Sequence, residues 1–251
     1  MFTAHNIRLA DGTETFPKAG FLLEQSERFR AAYRMLNLVF SGMLRGKSIA
    51  DLGCLEGGFA TGFARLGMVA TGFEIRKSNF ENCLFVKSHV NLPNLTFVNA
   101  DVNDIEKYGP FDAVWACGIL YHLDYPRSFL EKAAKVCRKL LMLETHFTYE
   151  ERTPAADGWR LSELCEHEGL KGRWFHEHED VPLDDLERLK WSAWSNRRSF
   201  WLQKEYLLDL IHTIGFDIVL EQYDVMSDIL SEMKSYYHNV DRGLFVGVRA
   251  P

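Results

Sequence analysis

Ser48-Ile49-Ala50-Asp51-Leu52-Gly53-Cys54-Leu55-Glu56-Gly57-Gly58 is the stretch that decides the fold. A short β-prone run, Ser48 to Asp51, ends in an acid and turns through glycines into a helix that begins near Phe59. Gly53 and Gly57 lack the Cβ atoms that would keep a ligand away from the backbone. A strand–loop–helix junction of this kind predicts a nucleotide-like cofactor at the head of an α/β sheet.

Outward from that junction, apolar runs alternate with helical patterns. Strands are predicted at 69–74, 95–99, 111–116 and 140–144, with helices at 59–66, 79–89 and 128–138. This rhythm with short connections predicts a parallel sheet wrapped by helices. Upstream, residues 21–43 carry Phe29, Tyr33, Leu36 and Phe40 at helical spacing. After His146 the rhythm breaks. Residues 147–203 hold five of the six tryptophans (Trp159, Trp174, Trp191, Trp194 and Trp201), too aromatic for a linker. They are expected to form an ordered insertion over one end of the sheet. A helix at 204–213 and strands at 217–222 and 244–248 follow, and an antiparallel pair is expected to end the sheet.

The chain therefore divides into an N-terminal helical extension (1–46), a core (47–146), an insertion (147–203) and a sheet-closing end (204–251), all within one domain. Its 251 residues can bury a sizeable core. The formal net charge of −6 disfavours phosphate backbones as general partners. A basic group at Arg188, Lys190, Arg197, Arg198 and Lys204 is the local exception. Five scattered cysteines without a Cys-x-x-Cys pair suggest neither a disulfide framework nor a zinc site. With no long apolar run and no signal-like N-terminus, a cytoplasmic protein without a membrane partner is expected.

The Asp51–Gly57 loop, Glu74, Asn99-Ala100-Asp101 and Phe111-Asp112-Ala113-Val114-Trp115 together resemble the class I S-adenosylmethionine-dependent (SAM-dependent) methyltransferases. The resemblance covers 47–146, with weaker support from 204–249. It implies a Rossmann-like fold: a seven-stranded, mostly parallel sheet with an antiparallel last strand and helices on both faces. The N-terminal helix and the aromatic insertion would then form a lid. It also implies SAM as cofactor and S-adenosylhomocysteine (SAH) as product. One position departs from the family pattern: a glycine is usual where this chain has Leu55, so the loop must approach the cofactor differently or turn Leu55 away.

The resemblance implies roles residue by residue. Glu74, 23 positions after Asp51, would take the ribose hydroxyls. Asp101 and the Val102 N–H would take adenine, with Ile75 packed on its face; the rival reading makes Asp101 a helix cap. Asp51 would anchor either the glycine loop or the ammonium end of the cofactor. Cys117 and Gly118 would meet that end through backbone carbonyls, and no electropositive setting marks Cys117 as a nucleophile.

Tyr121 lies where the reacting centre should be. His122 and His146 are rival general bases for a hydroxyl acceptor, because histidine titrates near neutrality. A third possibility needs neither: an anionic or amine acceptor requires only alignment. The tryptophans of the insertion, Trp194 among them, would be either core or a wall on which substrate stacks. In an RNA-modifying enzyme, Arg188, Arg197 and Arg198 would grip phosphates. His176-Glu177-His178-Glu179-Asp180 shows no zinc-like ligand set and is expected to be an exposed acidic loop rather than a metal site.

Gly118-Ile119-Leu120-Tyr121-His122-Leu123 is similar to the corresponding run of tRNA wobble-uridine carboxymethyltransferases and of methyltransferases of glycan and natural-product synthesis. The expected function is methyl transfer to a small molecule or sugar, at oxygen. Modification of tRNA and non-catalytic SAM binding are the alternatives.

Overall fold

The computed structural model describes residues 1–151, 160–178, 181–222 and 241–250. Helix α1 (Glu27–Phe40) leads into β1 (Ser48–Leu52), α2 (Gly58–Arg65), β2 (Val69–Phe73), α3 (Lys77–His89) and β3 (Leu95–Val98). Then come β4 (Phe111–Cys117), α4 (Pro126–Val136) and β5 (Cys137–His146). Strands β6 (Cys165–His167), β7 (Leu170–His176) and β8 (Arg198–Leu202) precede α5 (Lys204–Thr213), β9 (Ile218–Gln222) and β10 (Arg242–Val248).

The main sheet has seven strands in the order β3-β2-β1-β4-β5-β10-β9. β1 pairs in parallel with both β2 and β4, and β10 is antiparallel to both β5 and β9. The antiparallel last strand expected from the sequence is present, and it lies between β5 and β9 rather than at the edge of the sheet. Alternate residues of the inner strands feed two cores. Ile49, Trp115 and Met142 pack towards α1, α2 and α3, while Ala50, Val114 and Leu141 pack towards α4 and α5. This alternation covers both faces of a parallel sheet with helices.

Several boundaries move by two residues or more. The N-terminal helix starts at Glu27 rather than Phe21, because Ser26 caps it by accepting the Phe29 N–H at 3.2 Å. β5 begins at Cys137, where α4 was expected to continue to Arg138. Within the insertion, β6, β7 and β8 form an antiparallel sheet of their own. Trp201 is buried in it, and Trp159 lies outside the described residues.

Candidate functional site

The C-terminal ends of the parallel strands open into a cavity of about 480 Å³. It lies at the switch point between β1 and β4, where open α/β sheets bind ligands. Asp51, Gly53, Glu74, Ile75, Asp101, Val102, Cys117, Tyr121, His122 and Trp194 all line it. Gly57, His146, Arg197 and Arg198 do not.

The glycine loop is built for its own fold more than for a ligand. Gly57 sits at φ +80° as the residue before α2, and a Cβ there would stand 2.5 Å from the Phe97 ring. Backbone and packing therefore demand a glycine at 57, and Gly57 does not line the cavity. Gly53 does face the cavity, at φ +68°, but its missing Cβ makes room for Ile119 at 3.0 Å. Leu55, the irregular position, adopts φ +54°. The loop keeps its left-handed turn there without a glycine, at a cost of about 1–2 kcal/mol.

Glu74 is buried beside that turn. One carboxylate oxygen accepts the Leu55 N–H at 3.0 Å and the other the Arg76 N–H at 2.7 Å. Burial nonetheless raises its pKa to about 7. Asp51 behaves alike: burial lifts it to about 7, although it accepts the Ala60 N–H at the start of α2 at 2.9 Å. Asp51 thus does anchor the loop, and it faces the cavity as well. Asp101 accepts the Asn103 N–H at 2.8 Å, so the capping role is realised at a residue that also lines the cavity.

On the β4–β5 side a charge cluster closes the wall. Glu144 is fully buried and held in a bidentate pair by Arg242, at 2.6 and 2.7 Å. Arg28 of α1 adds a third contact at 3.0 Å. Burial alone would raise the Glu144 pKa, but the two arginines outweigh it and hold it at about 2. Burial and Glu144 push the Cys117 thiol far up, so it stays protonated and non-nucleophilic. Burial likewise raises Tyr121 to about 12, and the Arg242 guanidinium lies 5.1 Å from its ring.

The two candidate bases separate here. His122 lines the cavity, and its Nδ1 lies 2.7 Å from Glu177 Oε1. His146 is packed behind Tyr121, its ring stacked on Trp201 at 4.7 Å. The structure thus does not bring His146 to the cavity. The expected exposed loop at 176–180 is also corrected: the side chains of Glu177 and His178 are 8% exposed, and Glu177 Oε1 accepts the Ala193 N–H of the strap 190–196. Glu179 and Asp180 lie outside the described residues. Among the described residues, no group of three or more His, Cys, Asp or Glu could hold a metal ion. Arg197 and Arg198 line a separate surface groove with Tyr125, His167 and Trp174.

The roof comes from two distant segments. Arg76 donates to the carbonyls of Ser192 at 3.1 Å, Ala193 at 3.4 Å and Leu186, and its guanidinium lies 5.0 Å from the Trp194 ring. The N-terminal arm meets the same strap: Trp191 Nε1 donates to Thr3 Oγ1 at 3.1 Å and Lys190 Nζ to the Met1 carbonyl at 3.0 Å. Glu56 clamps the arm by accepting the N–H groups of Thr3, Ala4 and His5 at 2.6, 3.0 and 2.9 Å. His5 Nδ1 in turn accepts the Gly58 N–H at 3.0 Å, and burial lowers its pKa to about 4. Sequence reasoning missed Glu56, His5, Arg28, Arg242, Arg76 and Glu177. Glu56 alone carried a signal, as an acid inside the glycine loop.

Comparison with known proteins agrees with this geometry. Residues 50–140 match the family described as the methyltransferase domain. The chain is 25% identical over 218 residues to a tRNA U34 carboxymethyltransferase of Wolinella succinogenes, covering 81% of this chain and 76% of that one. Among solved structures, the N-terminal domain of EvdMO1, crystallised in the presence of SAH and D-fucose, superposes with a TM-score of 0.65 at 25% identity. That match covers 90% of this chain and 84% of the other. Magnesium protoporphyrin IX methyltransferase of Synechocystis PCC 6803, with bound SAM, shares the fold at a TM-score of 0.51 and 15% identity, covering 89% and 79%. The chain is a class I SAM-dependent methyltransferase. Its cofactor is SAM. The cavity suits that group: its volume is in the range of small-molecule sites, and buried acids capable of accepting hydroxyl protons line one end. Among the described residues, no helix is long and apolar enough to cross a membrane.

Proposed function

We propose that this enzyme methylates a hydroxyl oxygen of a small molecule or sugar, with His122 as general base. The observation that carries this reading is His122 on the cavity wall with a buried carboxylate behind it. When bound, SAM supplies an electrophilic methyl group on a sulfonium. Glu74 receives the ribose hydroxyls, Asp101 and the Val102 N–H hold adenine, and Ile75 packs on its face. Gly53, Asp51 and Cys117 border the amino-acid end. Tyr121 and Trp194 shape the acceptor space, and the N-terminal arm and strap form a lid that excludes water. His122 draws the proton from the acceptor hydroxyl, which sharpens its oxygen as a nucleophile. The likeness to the EvdMO1 domain crystallised with D-fucose supports a sugar-like acceptor.

A second reading, modification of tRNA, is favoured by the curated relative and by the groove of Arg197 and Arg198 with its aromatic neighbours. The net charge of −6 counts against it. Incubation with methyl-labelled SAM and fractionated cell extract decides between them. Label is expected in the small-metabolite or glycan fraction, and label confined to RNA would reverse the order. On the labelled acceptor, His122→Ala is expected to lower kcat about 10²-fold or more, with SAM affinity little changed.

A further inference from the structure

We infer that Glu177, from the insertion, is the positioning residue that makes His122 a base. The inference rests on the function proposed above. Glu177 Oε1 stands 2.7 Å from His122 Nδ1, and the same oxygen accepts the Ala193 N–H of the strap at 3.1 Å. At 2.7 Å the two atoms are in contact, although Nδ1 has no aligned hydrogen-bond partner among the described residues; a carboxylate this close favours the neutral tautomer with its proton on Nδ1. Nε2 is then the atom left to accept one.

A purely structural role explains this arrangement poorly. The other carboxylate oxygen, Oε2, is buried and finds no hydrogen-bond partner among the described residues. A buried carboxylate facing a neutral histidine costs more than an apolar side chain of similar volume would. The cost is returned when the histidine becomes a cation, since the carboxylate stabilises imidazolium. The other charged or titratable groups around the pair are His178, with Nε2 3.6 Å from Glu177 Oε1, Arg76, and Tyr121, whose ring is 4.3 Å from that of His122. Burial lowers the pKa of His178, which disfavours a competing positive charge there, and Arg76 is engaged with the strap carbonyls.

The step balances as follows. The acceptor O–H bond breaks and its proton passes to His122 Nε2. The oxygen lone pair forms the new O–CH3 bond while the C–S bond breaks, its electron pair remaining on sulfur in SAH. The imidazolium later gives its proton to solvent. Because Glu177 also grips Ala193, the base is held in place only while the strap is seated.

The test pairs a spectrum with kinetics. Protein labelled with ¹⁵N-histidine and saturated with SAH is expected to show His122 as the Nδ1–H tautomer. Glu177→Gln is expected to mix or reverse the tautomers, and on the labelled acceptor to lower kcat by about 10²-fold with the KM for SAM within about threefold. Glu177→Asp is expected to recover about a tenth or more of the wild-type kcat. An Nε2–H tautomer in the wild type, or Glu177→Gln with unchanged tautomer and kcat, overturns the inference. If Glu177→Gln does not fold, the wild-type spectrum decides alone. A His122→Ala enzyme with normal turnover removes the base itself. A dead His122→Ala enzyme beside a normal Glu177→Gln enzyme removes only the role of Glu177.

Discussion

Glu74 joins the glycine loop to the end of β2 by accepting the Leu55 and Arg76 N–H groups, so it is both loop anchor and candidate ribose acceptor. Glu74→Ala is expected to weaken SAM binding more than tenfold, read by calorimetry, because charge-assisted hydrogen bonds contribute about 1.5–3 kcal/mol. Unchanged affinity would remove the ribose role. Leu55→Gly weighs opposing effects. It relieves a left-handed residue, worth about 1–2 kcal/mol. It also loosens the unfolded chain by about 0.5–1 kcal/mol and deletes a half-buried side chain. Stability in urea is therefore expected to stay within about 1 kcal/mol of the wild type. Positions such as Glu74 and Asp101 are legible in the sequence because they sit at fixed places after strands. Glu177 and Arg242 are not, since their partners lie 55 and 98 positions away and only the packing of the insertion and of β10 unites them.

The strands and helices of the core were legible because their apolar residues repeat at the period each element needs. The three-stranded sheet of the insertion was not: β6 has three residues, and Trp174 and Arg198 make their contact across strands, with the guanidinium 4.1 Å from the ring. Nor was the N-terminal arm. It has no repeating secondary structure and is fixed by one side chain, Glu56, whose oxygens satisfy three consecutive N–H groups. Glu56→Ala leaves those donors without an acceptor, and each net hydrogen bond is worth about 1 kcal/mol. A loss of about 2–4 kcal/mol is expected in urea unfolding. Hydrogen exchange at residues 3–5 should rise while that of β1 and β4 changes with global stability alone. Gly57→Ala tests the start of α2 in the same way. Its positive φ and the nearby Phe97 ring are expected to cost about 2–4 kcal/mol.

At the scale of the whole molecule, the buried titrating groups pull stability in opposite directions with pH. Glu144 at about 2 lies below an unfolded carboxyl, so its contribution is present above about pH 4.5 and is lost as pH falls through 2. His5 at about 4 is protonated more readily in the unfolded chain, so its share is lost as pH falls from 6.5 to 4. Asp51 and Glu74, raised to about 7, act oppositely: their share is present at pH below about 4 and is lost as pH rises through 7. Free of cofactor, Glu74→Gln is therefore expected to gain stability relative to the wild type as pH rises from 5 to 8, because the variant keeps no buried charge. Binding should run the other way. The cofactor is cationic and presents hydroxyl donors, both of which favour ionised Glu74 and Asp51. Wild-type affinity for SAM is expected to strengthen between pH 6 and 8, with release of on the order of one proton near pH 7, read by calorimetry in buffers of differing ionisation enthalpy. Affinity flat with pH and no proton release would mean that the cofactor does not meet these two carboxylates. The acid that opens the glycine loop and the acid that ends β2 would then act for the fold alone.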